Sequence, residues 1–491
     1  MTITMLYNVL PLLIIAFGIV LSLLLIAWHR SQKLILIFTL LIFASALLAS
    51  ISLPININDS VQVTLLLKVD NYGHFAFILV LLASMAVSLL SSRWLTNSLE
   101  VHDEYFVLIQ LVVLGAGILV MSDHFAALFL GFELLSIALV GLVGYGKNGQ
   151  FSVESSFKYL ILSASASSFM LLGIAFVYSQ TGSLSFAPAS INMNINMDNG
   201  LFYQAGMLLF LVGVAFKLSL APFHFWTPDV YQGSPTPITL LLASVSKVAM
   251  FVVLMKYWFS QSYMFFEPNS SEKILLIINI LAITSMLVGN TLALKQQNIK
   301  RLLAYSSIAH IGYLLIVLLI ISPQSMALAW QSALFYLSAY VLATVSIFTA
   351  LALTQAKNDD AMVQVKDWQG LFWQHRSLAL LIIVAVLSLA GIPLTMGFIG
   401  KFYLLTVAVQ AQQWWLIAAL IIGSGIGLFY YLNIIFVLFH TGQKTNSDNK
   451  EQMLPFFNIN FVQQLTVIAL IFVGVFWGLL PDTLSELFAV N

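Results

Sequence analysis

Long apolar segments separated by short polar clusters follow one another along the whole 491-residue chain. A helix needs about 20 mainly apolar residues to cross the hydrocarbon core of a bilayer. Division of the chain at polar clusters, prolines and glycines predicts fourteen such helices, at residues 7–28, 34–53, 73–92, 105–121, 124–145, 155–179, 204–231, 236–258, 274–294, 301–321, 325–353, 377–408, 412–439 and 461–480. The helices at 204–231 and 377–408 each contain a break. The pattern therefore predicts an all-α polytopic membrane protein.

Composition agrees with this class of protein. Hydrophobic residues make up 60% of the chain and charged residues only 8%, unlike a soluble domain. The first apolar segment has no basic leader, so we expect a retained helix and not a cleaved signal peptide. Nineteen basic and nineteen acidic residues cancel, which argues against a nucleic-acid partner. The lack of cysteine excludes disulfides, thiolate catalysis and cysteine-held iron–sulfur clusters.

Basic residues predict the orientation of the helices, because cytoplasmic loops carry the excess of Lys and Arg. If the N-terminus lies outside, only Lys68 and Lys273 fall in outward loops. The inward loops then hold twelve basic residues: Arg30, Lys33, Arg93, Lys147, Lys295, Lys300, Arg301, Lys357, Lys366, Arg376, Lys444 and Lys450. We therefore expect both termini on the outer side of the membrane.

Five lysines remain inside the predicted spans: Lys158, Lys217, Lys247, Lys256 and Lys401. Lys256 lies in the last turn of its helix, so its ammonium is expected to reach the interface. The only carboxylate at a depth comparable with the other four is Glu133, which cannot pair with all of them. Burial without a counter-ion favours the uncharged amine, so such lysines could accept and release protons.

Small and polar residues lie on the same helical stripes as these lysines, which predicts that they face the bundle interior. Ser155, Ser165 and Ser168 share a stripe with Lys158. Two further stripes combine Gly206 and Gly213 with Lys217, and Ala243 and Ser244 with Lys247. An isolated lysine can also be a packing residue, but lysines and a glutamate on five helices favour a functional set.

Prolines predict where two of the helices break. Pro222 and Pro228 lie in one span and Pro393 lies in another, and each removes a backbone hydrogen bond within the membrane. Neighbouring Ser or Thr residues can repair such a kink. Alternatively, broken helices mark an ion site, and His224 beside Pro222 favours this second interpretation.

A weak internal repeat divides the chain. The segments "FKYLILSASASS" from 157 and "LSLAP" from 218 are echoed by "LFYLSAYVLATVS" from 334 and "LSLAGIP" from 387. Two five-helix units of opposite orientation would explain the echo, because an odd number of helices separates the equivalents. The match is imperfect, since Lys217 precedes its proline whereas Lys401 follows Pro393. The predicted parts are an N-terminal three-helix segment, two five-helix repeats and a C-terminal loop with the last helix, at 1–103, 104–258, 259–440 and 441–491.

Three segments resemble a known family. They are "FKLSLAPFHFWTPDVYQGSPTPITLLLASVSKVAMF" (216–251), "NIKRLLAYSSIAHIGY" (298–313) and "GIPLTMGFIGKFYL" (391–404). Their sequences are similar to those of the antiporter-like membrane subunits of proton-pumping NADH:quinone oxidoreductase, respiratory complex I. They resemble the N-type members best. The resemblance covers essentially the whole chain.

The resemblance implies two inverted five-helix repeats, each with a broken helix, and two half-channels joined by a hydrophilic axis. It further implies a proton-translocating set made of Glu133, Lys158, Lys217, His224, Lys247, His310 and Lys401, with the two histidines as polar links. No electron-transfer site or cofactor is expected in this chain; NADH, FMN, iron–sulfur clusters and quinone would belong to other subunits. The implied partners are other membrane-arm subunits, the lipid bilayer and protons of a bacterial inner membrane, with quinone only indirectly.

Three alternatives remain at the level of sequence. A subunit of a multisubunit cation/proton antiporter would share the lysine and glutamate pattern but would not co-purify with flavin and iron–sulfur subunits. A solute symporter would gather its ligands at one midplane site, whereas single ionisable groups here spread over five helices. A purely structural membrane scaffold would tolerate neutralisation of the lysines without loss of pumping.

Overall fold

The computed structural model describes residues 3–53, 60–96, 103–146, 149–186, 201–261, 268–320, 323–355, 363–440 and 461–485. The helices are α1 (Ile3–Asn8), α2 (Leu10–Trp28), α3 (Gln32–Ser52), α4 (Asn71–Thr96), α5 (Glu104–Met121), α6 (Phe125–Val143), α7 (Gly149–Thr181), α8 (Leu201–Leu218), α9 (Trp226–Gly233), α10 (Thr236–Ala243), α11 (Val245–Ser260), α12 (Pro268–Ala293), α13 (Ile299–Leu314), α14 (Pro323–Thr354), α15 (Leu371–Gln374), α16 (Arg376–Ala390), α17 (Met396–Gln410), α18 (Trp414–Phe439), α19 (Phe461–Leu479) and α20 (Asp482–Ser485). Short 3-10 helices at Leu315–Leu319 and Val365–Trp368 and a two-stranded antiparallel hairpin, β1 (Val61–Gln62) and β2 (Lys68–Val69), complete the described elements.

The structure confirms an all-α polytopic membrane protein. Twelve helical segments of the described chain are long and apolar enough to cross a membrane. The two remaining predicted spans correspond to the α16–α17 pair and to α19, which are shorter apolar helices. The division between α5 and α6 falls at residues 122–124, as predicted. The domain boundaries at residues 103, 258 and 440 stay predictions.

The connections between helices gather at the two ends of the bundle. At one end, isolated β-bridges join Leu67 to Ser122 and His124 to Ser185; at the other, Asn298 pairs with Gln364. Side chains at helix starts hold backbone amides that lack intrahelical partners: His124 Nδ1 accepts from Ala126 N and Asn298 Oδ1 accepts from Arg301 N. These contacts stabilise the starts of α6 and α13. Of the loop cations used to predict orientation, Lys147, Lys357, Lys444 and Lys450 lie outside the described residues.

Glycines allow α7 and α8 to approach closely. A Cβ atom at Gly173 would lie 2.5 Å from the backbone nitrogen of Phe210, and one at Gly213 would lie 2.5 Å from Met170 Cβ. Gly206 and Gly213 are buried, as their stripe with Lys217 predicts. Small residues that let backbones meet are a main source of helix association in a bilayer. The span formed by α10 and α11 lies wholly inside the resulting bundle.

Lys256, which is expected to reach the interface, places its ammonium between the start of α4 and the end of α5. Its Nζ lies 2.9 Å from Asp70 Oδ2 and donates to Val120 O at 2.7 Å, and its side chain is only 8% exposed. Asp70 also begins α4, because its Oδ1 accepts from Gly73 N at 2.7 Å. Val120 lies in the last turn of α5, and the C-terminal end of a helix favours a cation. These contacts tie α11 to the N-terminal helices α4 and α5.

Replacement of Asp70 by asparagine is expected to destabilise the protein by about 3–5 kcal/mol, because it leaves a buried ammonium without its counter-ion. Thermal unfolding of the purified membrane protein measures the loss. The double variant D70N/K256M removes both charges and should be more stable than D70N alone. Equal stability of D70N and the wild type would contradict a stabilising role for this pair.

Candidate functional site

The first helix break lies between α8 and α9. Residues 219–225 leave the helical path, and Ser219 has a left-handed backbone with a φ of 62°. The freed amide of Ala221 donates to Ser285 Oγ at 2.9 Å, so a neighbouring helix satisfies it. Pro222 lies within the break, as predicted. Pro228 lies in the first turn of α9, where the absence of an amide hydrogen removes no intrahelical bond.

Lys217 lies in the last turn of α8, immediately before this break, and is 1% exposed. Its Nζ donates to Ser136 Oγ at 2.7 Å and to Tyr159 OH at 2.8 Å. The Phe132 ring lies 5.0 Å from the same nitrogen. Hydroxyl groups and an aromatic face therefore surround the amine, and both hydroxyls can either accept or donate a hydrogen bond.

Glu133 lies on α6, one turn before Ser136, but it makes no ion pair with Lys217 within 4 Å. One carboxylate oxygen, Oε1, is buried without a hydrogen-bond partner in the described part of the chain, and the residue as a whole is half-buried. The two groups thus share a region without direct contact.

Lys247 is wholly buried near the start of α11. Its Nζ donates to Ser307 Oγ at 2.6 Å, and the Tyr231 ring of α9 lies 5.9 Å away. Ala243 and Ser244, which share its stripe, are buried as predicted. Ser307 lies on α13, three residues before His310, so α13 places both side chains on one face. Lys247 thereby connects α11 with α13.

His310 joins the central lysine to the second break. Its Nδ1 lies 2.6 Å from Tyr336 OH and its Nε2 lies 3.1 Å from Tyr431 OH. A cavity of about 10 Å³ lies beside it, lined among others by Tyr336, Tyr340 and Lys401. This is close to the space that one water molecule needs. His310 and Lys401 thus line the same small cavity.

The second break separates α16 from α17, where Gly391 and Leu394 have left-handed backbones. Lys401 is 9% exposed and lies on α17, but its Nζ reaches back to the end of α16. It donates to Ala390 O at 2.7 Å and to Leu389 O at 3.1 Å. A Cβ atom at position 391 would lie 2.8 Å from Lys401 Cδ, so glycine makes room for this path. The ammonium occupies the negative end of the half-helix.

This geometry explains the imperfect sequence repeat. Lys217 lies in the last turn of its first half-helix, α8, whereas Lys401 reaches the end of its first half-helix, α16, from the second. The two lysines therefore differ in their positions relative to the prolines. Both nevertheless place an amine at the C-terminal end of a first half-helix, where the helix dipole favours a cation.

Lys158 does not have the buried position that the sequence predicts. Its side chain is 44% exposed and lies 2.7 Å from Glu154 Oε1 and 3.1 Å from Asp229 Oδ2. Ser165 and Ser168 on its stripe are exposed on the outside of the bundle, whereas Ser155 is buried. The prediction of an inward stripe on α7 is therefore wrong for three of its four members. Ala166, Met170 and Gly173 of α7 face α8 instead.

His224 lies within the first break and is 5% exposed. Its Nδ1 is buried without a partner among the described residues. The ring stacks on Phe225 at 4.5 Å and approaches Tyr305 of α13 edge-on at 6.4 Å. The structure thus places His224 between α9 and α13, but it does not bring Nδ1 into contact with Lys217.

A polar cluster around Asn290 was not found by sequence reasoning. Asn290 Nδ2 donates to Tyr313 OH at 2.8 Å, and its Oδ1 accepts from Tyr430 OH at 3.1 Å. The Tyr313 ring lies 5.4 Å from Lys401 Nζ. On α18, Cβ atoms at Gly423 and Gly427 would lie 3.1 Å from the two ends of the Asn290 amide. In the sequence, the spacing of Gly423 and Gly427 four residues apart was the feature that could have indicated close packing at this face of α18.

The fold and these contacts define a polytopic membrane protein with two broken helices and a row of buried amines linked by hydroxyl groups and a histidine. The family model described as NADH:quinone oxidoreductase/Mrp antiporter, transmembrane part, matches residues 122–427. The chain belongs to this family of antiporter-like membrane subunits. Its span of match includes both broken helices and all the buried lysines of the row.

Solved structures agree with this assignment. A chain of respiratory complex I from Thermus thermophilus with bound aureothin is 30% identical, with a TM-score of 0.81, and the match covers 98% of this chain and 100% of that one. A chain of the membrane-bound sulfane sulfur reductase, an archaeal respiratory membrane complex, is 22% identical over 99% and 96% at a TM-score of 0.81. A chain of the Mrp complex from a Dietzia species is 18% identical over 100% and 97% at a TM-score of 0.82. The last two share the fold.

Proposed function

We propose that the chain is subunit N of the membrane arm of a proton-pumping NADH:quinone oxidoreductase, and that it translocates protons along its row of lysines. One observation carries the proposal: Lys217, Lys247 and Lys401 are buried, yet in the described part of the chain each binds hydroxyl or carbonyl oxygens and none forms an ion pair with a carboxylate. Bilayer proteins rarely contain buried ionisable groups without a functional reason.

The contacts supply a route for a proton. A proton on Lys217 can pass to Lys247 through the region beside Tyr231, whose buried hydroxyl has no partner among the described residues and is available to a water molecule. Lys247 donates to Ser307, and the neighbouring His310 shares the small cavity with Lys401. Release from Lys401 to the outer side completes the path.

Glu133 would control the first step. When its carboxylate approaches Lys217, the ion pair stabilises the ammonium; when it separates, that stabilisation is lost and the proton moves towards Lys247. The hydrogen bond from Lys217 to Ser136 and the partnerless Oε1 of Glu133 correspond to the separated arrangement. Quinone reduction elsewhere in the complex would drive the change through a neighbouring subunit.

The remaining components of this proposal lie outside the chain. NADH, FMN, iron–sulfur clusters and quinone would be held by other subunits, and this chain would carry neither electrons nor a cofactor. Its partners would be further membrane-arm subunits, in agreement with the multisubunit complexes that contain the similar chains. A bacterial inner membrane with both termini on the outer side is the proposed location. Participation of Lys158 and His224 in transfer is also part of the proposal.

A cation/proton antiporter subunit is the alternative function. The 30% identity to the complex I chain over the full length favours a complex I subunit, because the Mrp chain at 18% identity shares only the fold. Co-purification distinguishes the two: flavin and iron–sulfur subunits accompany a complex I subunit but not a subunit of an independent antiporter.

Replacement of Lys217 by alanine tests the proposed path. In the assembled complex reconstituted into liposomes, we expect K217A to lose proton uptake per NADH oxidised, because the amine at the first break is gone. Lys33 is an exposed lysine at the start of α3 and provides the control variant K33A. Full pumping per NADH in K217A would contradict the proposal.

A further inference from the structure

Helix α9 contacts the surroundings of two buried lysines. Its first residue, Trp226, packs against the Tyr159 ring at a centroid distance of 5.0 Å, and Tyr159 OH accepts the hydrogen bond from Lys217. Five residues later along α9, the Tyr231 ring lies 5.9 Å from Lys247 Nζ. The position of this single two-turn helix therefore affects the environment of both amines.

Charged groups also hold α9. Asp229 Oδ1 accepts from Arg301 Nη1 of α13 at 2.7 Å, and Asp229 Oδ2 accepts from Lys158 Nζ of α7 at 3.1 Å. Arg301 Nη1 also donates to Gln232 Oε1, one turn further along α9, at 3.0 Å. One carboxylate on α9 thus connects a helix of the first five-helix region to a helix of the second.

Backbone packing brings α9 close to α7 at the same place. Ser155 Oγ donates to the backbone oxygen of Asp229 at 3.1 Å. A Cβ atom at Gly233 would lie 2.0 Å from Ser155 Oγ, so no larger residue fits there without displacement. The face of α9 that carries Asp229 therefore lies directly against α7.

Helix α9 cannot hold its position through its chain connections. It follows the non-helical residues 219–225 and is separated from α10 by Ser234 and Pro235. An eight-residue helix is also far too short to be stable in isolation. Its place between the lysines depends on side-chain contacts with neighbouring helices. The ion pairs of Asp229 with Arg301 and Lys158 are among these contacts.

We propose that Asp229 is a positioning residue of the proton path. Its bridges to Arg301 and Lys158 fix the position of α9. Trp226 and Tyr231 of α9 then hold the surroundings of Lys217 and Lys247 in the arrangement that proton transfer needs. The inference rests on the proposed function of the chain. Asp229 itself exchanges no proton in this scheme. Misplacement of reacting groups by about 1 Å can slow a reaction by about 100-fold, so a displaced α9 has a measurable effect.

A surface ion pair without functional consequence is the competing explanation, since partly exposed pairs often contribute little to stability. The chain offers a matched control. Glu154 pairs with the same Lys158 at 2.7 Å and is 58% exposed, but it lies on α7, one turn before that lysine. E154Q therefore removes a comparable charge and a comparable bond without removing a bond to α9.

The test compares D229N, D229E and E154Q in the assembled complex reconstituted into liposomes. Proton uptake is measured per NADH oxidised with quinone as acceptor, and NADH oxidation by ferricyanide measures the amount of active complex. We expect D229N to lower proton uptake per NADH by about tenfold at equal ferricyanide activity. D229E, which keeps the charge, should restore at least half of the uptake, and E154Q should pump like the wild type.

Two outcomes would overturn the inference: full pumping in D229N, or equal losses in E154Q and D229N. R301Q provides a second route if D229N does not assemble, because it removes the shorter bridge and leaves Asp229 in place; full pumping in assembled R301Q also overturns the inference. K217A, measured in parallel, distinguishes failure of the proposed role of Asp229 from failure of the proposed function of the chain. A loss in K217A with full pumping in D229N refutes only the role of Asp229, whereas full pumping in K217A refutes the proposed function.

Discussion

Replacement of Lys247 by alanine is expected to abolish proton translocation through this chain. Lys247 is wholly buried and donates to Ser307 on α13, which also carries His310. It is the amine that connects α11 with α13, so its removal interrupts the row of lysines in the middle. A positioned acid–base group contributes about 100-fold or more to a proton-transfer rate. Proton uptake per NADH in liposomes containing the assembled complex measures the effect.

Two further variants show what Lys247 contributes. Arginine stays protonated in proteins, so K247R should also fail to pump if the amine must release its proton; wild-type pumping in K247R would show that only a fixed positive charge is needed. Lys295 is exposed at one end of the bundle, and K295A should pump normally. Equal pumping in K247A and K295A would exclude Lys247 from the path.

Replacement of Gly397 by alanine is expected to disrupt the second helix break. A Cβ atom at this position would lie 1.8 Å from the backbone oxygen of Ser388, so α17 must move away from α16. Lys401 lies one turn further along α17 and would lose its bonds to the carbonyl oxygens of Leu389 and Ala390. Overpacking of this kind costs about 1–3 kcal/mol or more. We expect less assembled complex and little proton uptake per NADH from the complex that remains.

Gly425 on α18 provides the matched control for this substitution. Among the described residues, a Cβ atom there meets no neighbouring atom within 4 Å outside its own stretch of helix, and alanine is the better helix former. G425A should therefore assemble and pump at least as well as the wild type. Thermal unfolding and proton uptake of the two variants are compared in the same preparation. Normal assembly and pumping in G397A would contradict the close packing of the two half-helices.

The sequence predicted the helices and most of the row of lysines. The apolar segments must match the thickness of the bilayer, and helices are the only open-chain structures that satisfy their own backbone there. The observed bounds of α7, α14 and α18 accordingly differ from the predicted ones by only a few residues. Burial of Lys217, Lys247 and Lys401 followed from the same pattern, because each lysine lies within an apolar segment that must cross the membrane.

The partners of long side chains could not be predicted in this way. Lys256 pairs with Asp70, which lies 186 positions earlier, and Lys158 pairs with Asp229 instead of facing the interior. Glu133 is the one carboxylate that the sequence places at the depth of the lysines, yet it forms no ion pair with Lys217. Each outcome depends on the rotation and tilt of helices that are distant in sequence, and a lysine side chain can reach several neighbours.

By itself, the sequence determined the class of protein, the fourteen spans and the breaks near Pro222 and Pro393, because the bilayer imposes length, apolarity and backbone satisfaction on every segment. Only the tertiary structure decided that Lys401 reaches back to the end of α16, that Asn290 holds Tyr313 beside it, and that Asp229 bridges two helices through α9. These contacts join elements from separate parts of the chain, and a linear pattern holds no information on the angle at which two helices meet.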